Sequence, residues 1–342
     1  MKRVFFYGVA LSALIFSSCG SKVSLVATSV PEEGSSQFIQ ITNQDHVCGP
    51  RGASKQQRYS QTPLDLPNII TLALSPTEDE VAFLSKRSDK INIFIKSILG
   101  HSVSQQRTFR TNINSFAYSP DGKILCFSEM SGGKSNLFTT DAKQGTICQQ
   151  LTEGFNPAFS GDMNMIFFER SEAAGTKLVA QGGCGGGANT VTIYQGILWS
   201  YNRLNSQLST YVKGSNPCII PGEAASLYCV RNSDTGSEIW KINYTQGKEE
   251  IIYTASDKKI VTPQLSPDGN WLAFVMTSRV NKRQNADIYV IKTDGSQLTQ
   301  LTYHQADDFC PVWSRDGKHI YIVSSRGNDD GEYNVWKMSF PF

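Results

Sequence analysis

The sequence predicts an all-β protein, a single six-bladed β-propeller with four-stranded antiparallel blades. Three observations carry this. A Ser-Pro-Asp-Gly turn returns along the chain, an aliphatic–aromatic pair recurs six times, and the composition is rich in aromatics and turn formers. The 342 residues are 11% aromatic and include 28 Gly and 13 Pro. Aromatics favour a pleated, half-buried surface, and Gly and Pro supply its turns.

The turn reads Ser119-Pro120-Asp121-Gly122-Lys123, then Ser266-Pro267-Asp268-Gly269-Asn270, then Ser314-Arg315-Asp316-Gly317-Lys318, with weaker copies at Ser75-Pro76 and Ser160-Gly161-Asp162. Asp-Gly at a strand junction marks a hairpin, because Gly accepts the positive φ that the turn needs. An apolar residue precedes each turn: Leu74, Tyr118, Phe159, Leu265 and Trp313. Beyond the turn, Val81, Leu125, Ile166, Leu272 and Ile320 are followed two residues later by Phe83, Phe127, Phe168, Phe274 and Ile322. That period of two is a strand with one buried face.

The third strand of each repeat holds the aliphatic–aromatic pair: Ile93-Phe94, Leu137-Phe138, Leu198-Trp199, Ile239-Trp240, Ile288-Tyr289 and Val335-Trp336. This column recovers a fourth copy in which Pro221-Gly222 replaces the usual turn. Fourth strands often end in an apolar or aromatic residue and Thr, as at Leu151-Thr152, Tyr253-Thr254 and Leu301-Thr302. Repeats of roughly 40–48 residues with four strands each are propeller blades. Six of them fill residues 66–340, and the last lacks a fourth strand. Phe38-Ile39-Gln40-Ile41-Thr42 has the fourth-strand pattern, so it is expected to close the ring.

At this point the repeats resemble those of the TolB propeller family, in the Ser-Pro-Asp-Gly turn, the aromatic third strand and the Leu-Thr ending. The resemblance runs across residues 66–340 and implies a TolB-like fold with partners among envelope lipoproteins or outer-membrane assemblies. TolB has a separate α/β domain ahead of its propeller, and the segment before blade one is too short to be one, so the family's contacts do not transfer wholesale. Similar propellers precede prolyl-oligopeptidase-type hydrolases, but no hydrolase domain is expected here.

Ahead of the propeller, residues 1–18 read as a lipoprotein-type signal peptide. Lys2 and Arg3 precede an apolar run, Val4 to Phe16, too short for a comfortable bilayer span. Ser17 and Ser18 then lead to Cys19, the expected site of acylation and so of a membrane anchor. Phe16 stands where Leu is usual, which leaves ordinary secretion as the alternative. Residues 19–36 read as a tether spanning on the order of 20–25 Å, and residues 37–342 as the propeller. These features place the protein in the cell envelope, facing the periplasm or the surface.

Seven cysteines follow Cys19, so at least one is unpaired. Cys218 and Cys229 could meet across a hairpin, Cys48 and Cys310 fall near strand connections, and buried free thiols are the equal alternative.

Catalytic signatures are missing. There is no His-Glu-x-x-His and no Gly-x-Ser-x-Gly, and the only histidines are His46, His101, His304 and His319. Gly133-Lys134-Ser135 lacks the rest of a phosphate loop and reads as a hairpin turn. No cofactor is implied. A formal net charge of +2 excludes a dedicated nucleic-acid binder. On the loop-rich face Lys86, Arg87, Lys90, Arg279, Lys282 and Arg283 are offset by Glu169, Glu172, Asp329, Asp330 and Glu332, which reads as a solvated rim.

His304, Asp307 and Asp308 stand at the entry to the innermost strand of blade six. They are the candidates for a partner- or cation-binding site at the channel mouth, with turn capping as the plainer role. Blade three carries an insert, residues 171–192, with the run Gly182-Gly183-Cys184-Gly185-Gly186-Gly187. It reads as a disordered loop, or alternatively as a flexible interaction arm. The function these features imply is a non-enzymatic, protein-binding scaffold acting through the loop-rich face. The alternative is a propeller that binds or cleaves a glycan or small molecule at the channel mouth.

Overall fold

The computed structural model describes residues 38–49, 70–77, 79–99, 102–180, 188–220, 225–280, 283–327 and 332–342. They form six sheets of four antiparallel strands. From the inside outwards, blade one is Leu72–Leu74, Glu80–Arg87, Lys90–Ser97 and Gln105–Gln106. Blade two is Ile113–Tyr118, Ile124–Ser131, Lys134–Asp141 and Cys148–Glu153. Blade three is Phe155–Phe159, Met165–Ala180, Ala188–Asn202 and Leu208–Lys213. Blade four is Ser215–Ile219, Ser226–Ser233, Gly236–Asn243 and Lys248–Ser256. Blade five is Ile260–Leu265, Trp271–Val280, Arg283–Lys292 and Thr299–Gln300. Blade six is Asp308–Trp313, His319–Ser324, Asn334–Ser339 and, from the other end of the chain, Phe38–Gln40.

The closing strand pairs Phe38 with Met338, Ile39 with Lys337 and Gln40 with Trp336. Thr42 then does what the fourth-strand threonines do elsewhere. Its Oγ1 donates to Asn334 Oδ1 at 2.9 Å and accepts from the Val335 amide at 2.8 Å. In blade one Thr108 Oγ1 donates to Asn92 Oδ1 at 3.1 Å and accepts from the Ile93 amide at 2.9 Å. Thr302 accepts likewise from Ile288. The chain continues across the seam, where Val47 bridges both Ser85 of blade one and Tyr333 of blade six. Residues 38–49 therefore complete the last blade and staple it to the first.

The period-two columns become the core between blades. Phe83, Phe127, Phe168 and Phe274 are all fully buried. Above them, an arginine from the second strand, or in blade two from the connection that enters the blade, covers the third-strand aromatic: Arg87 over Phe94, Arg110 over Phe138, Arg170 over Trp199 and Arg231 over Trp240. Such contacts cap the apolar layer with a group that keeps one side in water. In blade six the pattern crosses to the closing strand, with Arg326 3.6 Å from the centroid of Phe38.

The turns between first and second strands owe their shape to Ser and Asp. Ser119 donates to Asp121 at 2.6 Å, Ser160 to Asp162 at 2.6 Å, Ser266 to Asp268 at 2.5 Å and Ser314 to Asp316 at 2.5 Å. Gly122, Gly269 and Gly317 follow with φ of 70°, 76° and 69°, the left-handed region that needs glycine. The serine hydroxyls hold all four aspartates below the usual carboxylate range. Asp45, on the seam, joins them. Its burial pushes the carboxyl upwards, but bonds from Lys96 at 2.8 Å and Ser104 at 2.6 Å prevail and lower it. A depressed carboxylate stabilises the fold above its unfolded pKa, and that contribution is lost as pH falls through the folded value. The urea midpoint should therefore hold from pH 7 to about 5 and fall below about pH 4. Asp45→Asn should lower the neutral plateau and flatten the acid limb; an acid limb as steep as in the native chain would contradict this assignment.

Two expectations change. Cys218 pairs in register with Tyr228, so Cys229, one residue on, faces the opposite side of the sheet. The two thiols enter different cores, and burial pushes each up to about 12. Cys126, Cys148, Cys218 and Cys229 form no disulfide among the described residues. The blade-three insert is not a loop along its flanks: the second and third strands continue as a paired ribbon from Ser171↔Gly196 to Ala180↔Ala188. The glycine run drew attention from the β-branched alternation beside it. Gly182, Gly183, Cys184 and Gly185, like Cys19, lie outside the described residues.

The axial cavity as candidate functional site

Five of the six innermost strands begin with a bulge, and in four of those the bulged residue precedes proline: Asn156, Asn216, Thr262 and Cys310, with φ of 51°, 50°, 51° and 49°. Non-glycine residues in this region are strained. Here the kink turns the amides towards the preceding blade. Asn156 N donates to Ser115 Oγ at 2.8 Å, Asn216 N to Glu169 Oε2 at 3.2 Å and Thr262 N to Asn216 Oδ1 at 3.0 Å. Asn156 Oδ1 accepts from the Ile70 amide at 3.2 Å, and Thr71 Oγ1 lies 3.3 Å from Cys310 Sγ. The result is a buried polar girdle around the propeller axis at the loop-rich end.

Thr262 is the weak member. It is β-branched, and its buried Oγ1 has no hydrogen-bond partner. The Asn found at the matching positions tolerates this backbone and offers an acceptor. Thr262→Asn should stabilise the protein by about 1 kcal/mol, raising the melting temperature by roughly 2 °C; a lower melting temperature would contradict the strain argument.

Further along the same strands the axis opens into a cavity of about 450 Å3. Its walls come from all six innermost strands and from the turns that leave them. One register position supplies small side chains: Ala73, Ala117 and Ala158, pairing with Ala82, Cys126 and Phe167. Blades five and six place Gln264 and Val312 there. The next position is the apolar column read from the sequence, including Tyr118, Phe159 and Trp313. Prolines 76, 120, 157, 217 and 267 complete a wall that is largely apolar. At its rim Arg315 donates to Asp79 of blade one at 2.8 Å. Small residues keep the axis hollow and the aromatics and prolines make it rigid, so it suits an apolar group entering end-on.

The antiparallel strand order puts this cavity at the end of the propeller where the Ser-Pro-Asp-Gly turns lie. His304, Asp307 and Asp308 stand at the other end, outside the cavity walls. His304 is exposed, and its Nδ1 accepts from the Ala306 amide at 3.0 Å. Asp307 Oδ1 accepts from the Ala286 amide at 3.0 Å, tying blade six to blade five. Asp308 is fully buried and accepts from Arg326 Nη2 at 2.6 Å. Burial pushes its carboxyl above the usual range against the pull of Arg326. The three residues do not converge on one point, and no group of three metal-ligating side chains occurs among the described residues. Sequence reasoning missed the small ring. The signal was one residue before the apolar column, where Ala stands in three blades.

These features define a six-bladed, axially open propeller closed by chain from both ends. No family model matches the chain. In three dimensions it is similar to TolB of Acinetobacter baumannii, with a TM-score of 0.54 and 14% identity over 80% of this chain and 63% of that one. Hydrazine synthase of Kuenenia stuttgartiensis gives a TM-score of 0.54 and 13% identity over 78% and 76%. Among curated proteins, the Tol-Pal system protein TolB of Francisella tularensis is 26% identical over 129 residues, 38% of this chain and 26% of that protein. The uncharacterized peptidase YuxL of Bacillus subtilis is 31% identical over 94 residues, 28% and 14% respectively. The matched stretches thus span about a quarter or less of these curated relatives. What is shared is the fold: this chain has a TolB-like propeller.

Proposed function

We propose that the protein is a non-enzymatic envelope lipoprotein that holds protein partners on its propeller. The observation that carries this reading is the axial cavity, a rigid apolar socket whose walls are small, aromatic and proline side chains. Such a wall takes up an apolar side chain or chain end by burial, at roughly 25 cal/mol per Å2 of apolar surface. The envelope location rests on the basic and apolar segment before Cys19 and on the likeness to a Tol-Pal system protein. In this reading residues 1–18 are removed, Cys19 carries the lipid and residues 19–36 tether the propeller to the membrane. The docking face is then the turn end, around the cavity, rather than the loop-rich end expected from the sequence.

Affinity isolation of the tagged protein from detergent-solubilised envelopes, read by mass spectrometry, tests this. Reproducible recovery of the same envelope proteins is the expected outcome. Recovery of the chain alone would overturn it.

A further inference from the structure

The blade-three ribbon has two edges of different character. Its first strand, Met165–Ala180, has a neighbour on the inner side only as far as Glu169, which pairs with Phe155. Its second strand, Ala188–Asn202, has one on the outer side only as far as Ile197, which pairs with Lys213. Beyond those points no further strand pairs with either edge among the described residues.

The first edge carries the usual guards against pairing. Its sequence has Glu172 and Lys177, and a bulge at Ala173/Gly175 interrupts its register. The second edge, residues 188–195, reads Ala-Asn-Thr-Val-Thr-Ile-Tyr-Gln, with no charge, no proline, no glycine and no bulge of its own. Tyr194 and Val191 are 66% and 44% exposed on it. A long, flat, uncharged, β-branched edge is what folded proteins otherwise avoid. One ribbon that guards one edge and leaves the other bare points to a bare edge meant to be covered.

We infer that this edge pairs antiparallel with the same edge of a second copy, with Thr192 on the two-fold axis. The sequence around Thr192 is self-complementary in kind. Antiparallel pairing there sets Val191 opposite Ile193, Thr190 opposite Tyr194, and Thr192 opposite its own copy. Aliphatic, aromatic–β-branched and Thr–Thr pairs are the favoured cross-strand neighbours. An edge without charge presents no repulsion to itself, and a two-fold contact closes after two copies.

Charge exchange on the axis tests this. The purified full chain should sediment as a concentration-dependent dimer. Thr192→Lys and Thr192→Glu should each dissociate it, weakening association on the order of tenfold or more, because like charges then face each other. An equimolar mixture of the two variants should dimerise again, since Lys then faces Glu. A native chain that is monomeric at all concentrations would overturn the inference. So would a dimer that survives both substitutions, or a mixture that stays monomeric although both variants melt like the native chain.

Discussion

Deleting residues 38–45 should lower the melting temperature by about 10 °C or more. The segment supplies three ladder pairs to Asn334–Ser339 and the Thr42 bonds to Asn334 and Val335. It also supplies Asp45, which gathers Lys96 and Ser104 at the seam. Its loss exposes the edge of blade six and uncovers Arg326, which now rests on the Phe38 ring. Differential scanning calorimetry of the shortened chain checks this, and an unchanged transition would remove the closing strand from the account of stability. Thr42→Val is the finer probe. It keeps the shape and removes two buried hydrogen-bond roles, at a cost of about 1–3 kcal/mol.

Arg326→Met should cost about 3–5 kcal/mol at neutral pH. The substitution leaves Asp308 fully buried without its cation and strips the cap from Phe38. The cost should depend on pH in a direction set by Asp308. Its folded pKa already lies above the unfolded value, because burial disfavours the charge. Without Arg326 it rises further. A raised carboxylate favours the fold below the unfolded pKa, and that advantage disappears as pH climbs through the folded value. The variant should therefore lie nearest the native chain in acid and fall away towards neutrality, in chemical denaturation followed across pH. The double variant Arg326→Met, Asp308→Leu should recover most of the loss, since removing both charges leaves nothing unpaired. Equal destabilisation at all pH values would show that packing rather than charge sets the cost.

The blades were legible because their signals are local. The six aliphatic–aromatic pairs repeat at the blade spacing, and the closing strand was found because Ile41-Thr42 copies the Leu301-Thr302 ending, a resemblance the structure turns into the same bond from a third-strand amide to the threonine hydroxyl. The site was less legible. His304, Asp307 and Asp308 stand together in sequence, yet a strand entry sends adjacent side chains in different directions: one into solvent, one to the Ala286 amide, one into the core. Proximity in sequence therefore overstated their convergence. The cavity escaped for the opposite reason. Ala73, Ala117 and Ala158 are far apart in sequence, carry no chemistry of their own and meet only when six strands converge on an axis. The ribbon was misread because glycine dominated its tip, although Thr190 to Tyr194 already had a strand's composition.

The most direct test of the account is a plug in the axial cavity. Ala117→Trp and Ala158→Trp each place a large ring where the small ones keep the axis hollow, without touching the girdle or the closing strand. Each variant should keep its melting temperature within about 3 °C, as substitutions into open space do, and should lose the envelope proteins that the native chain recovers from solubilised envelopes. Recovery of the same proteins in the same yield by both plugged chains would contradict the claim that the axial cavity is where partners dock.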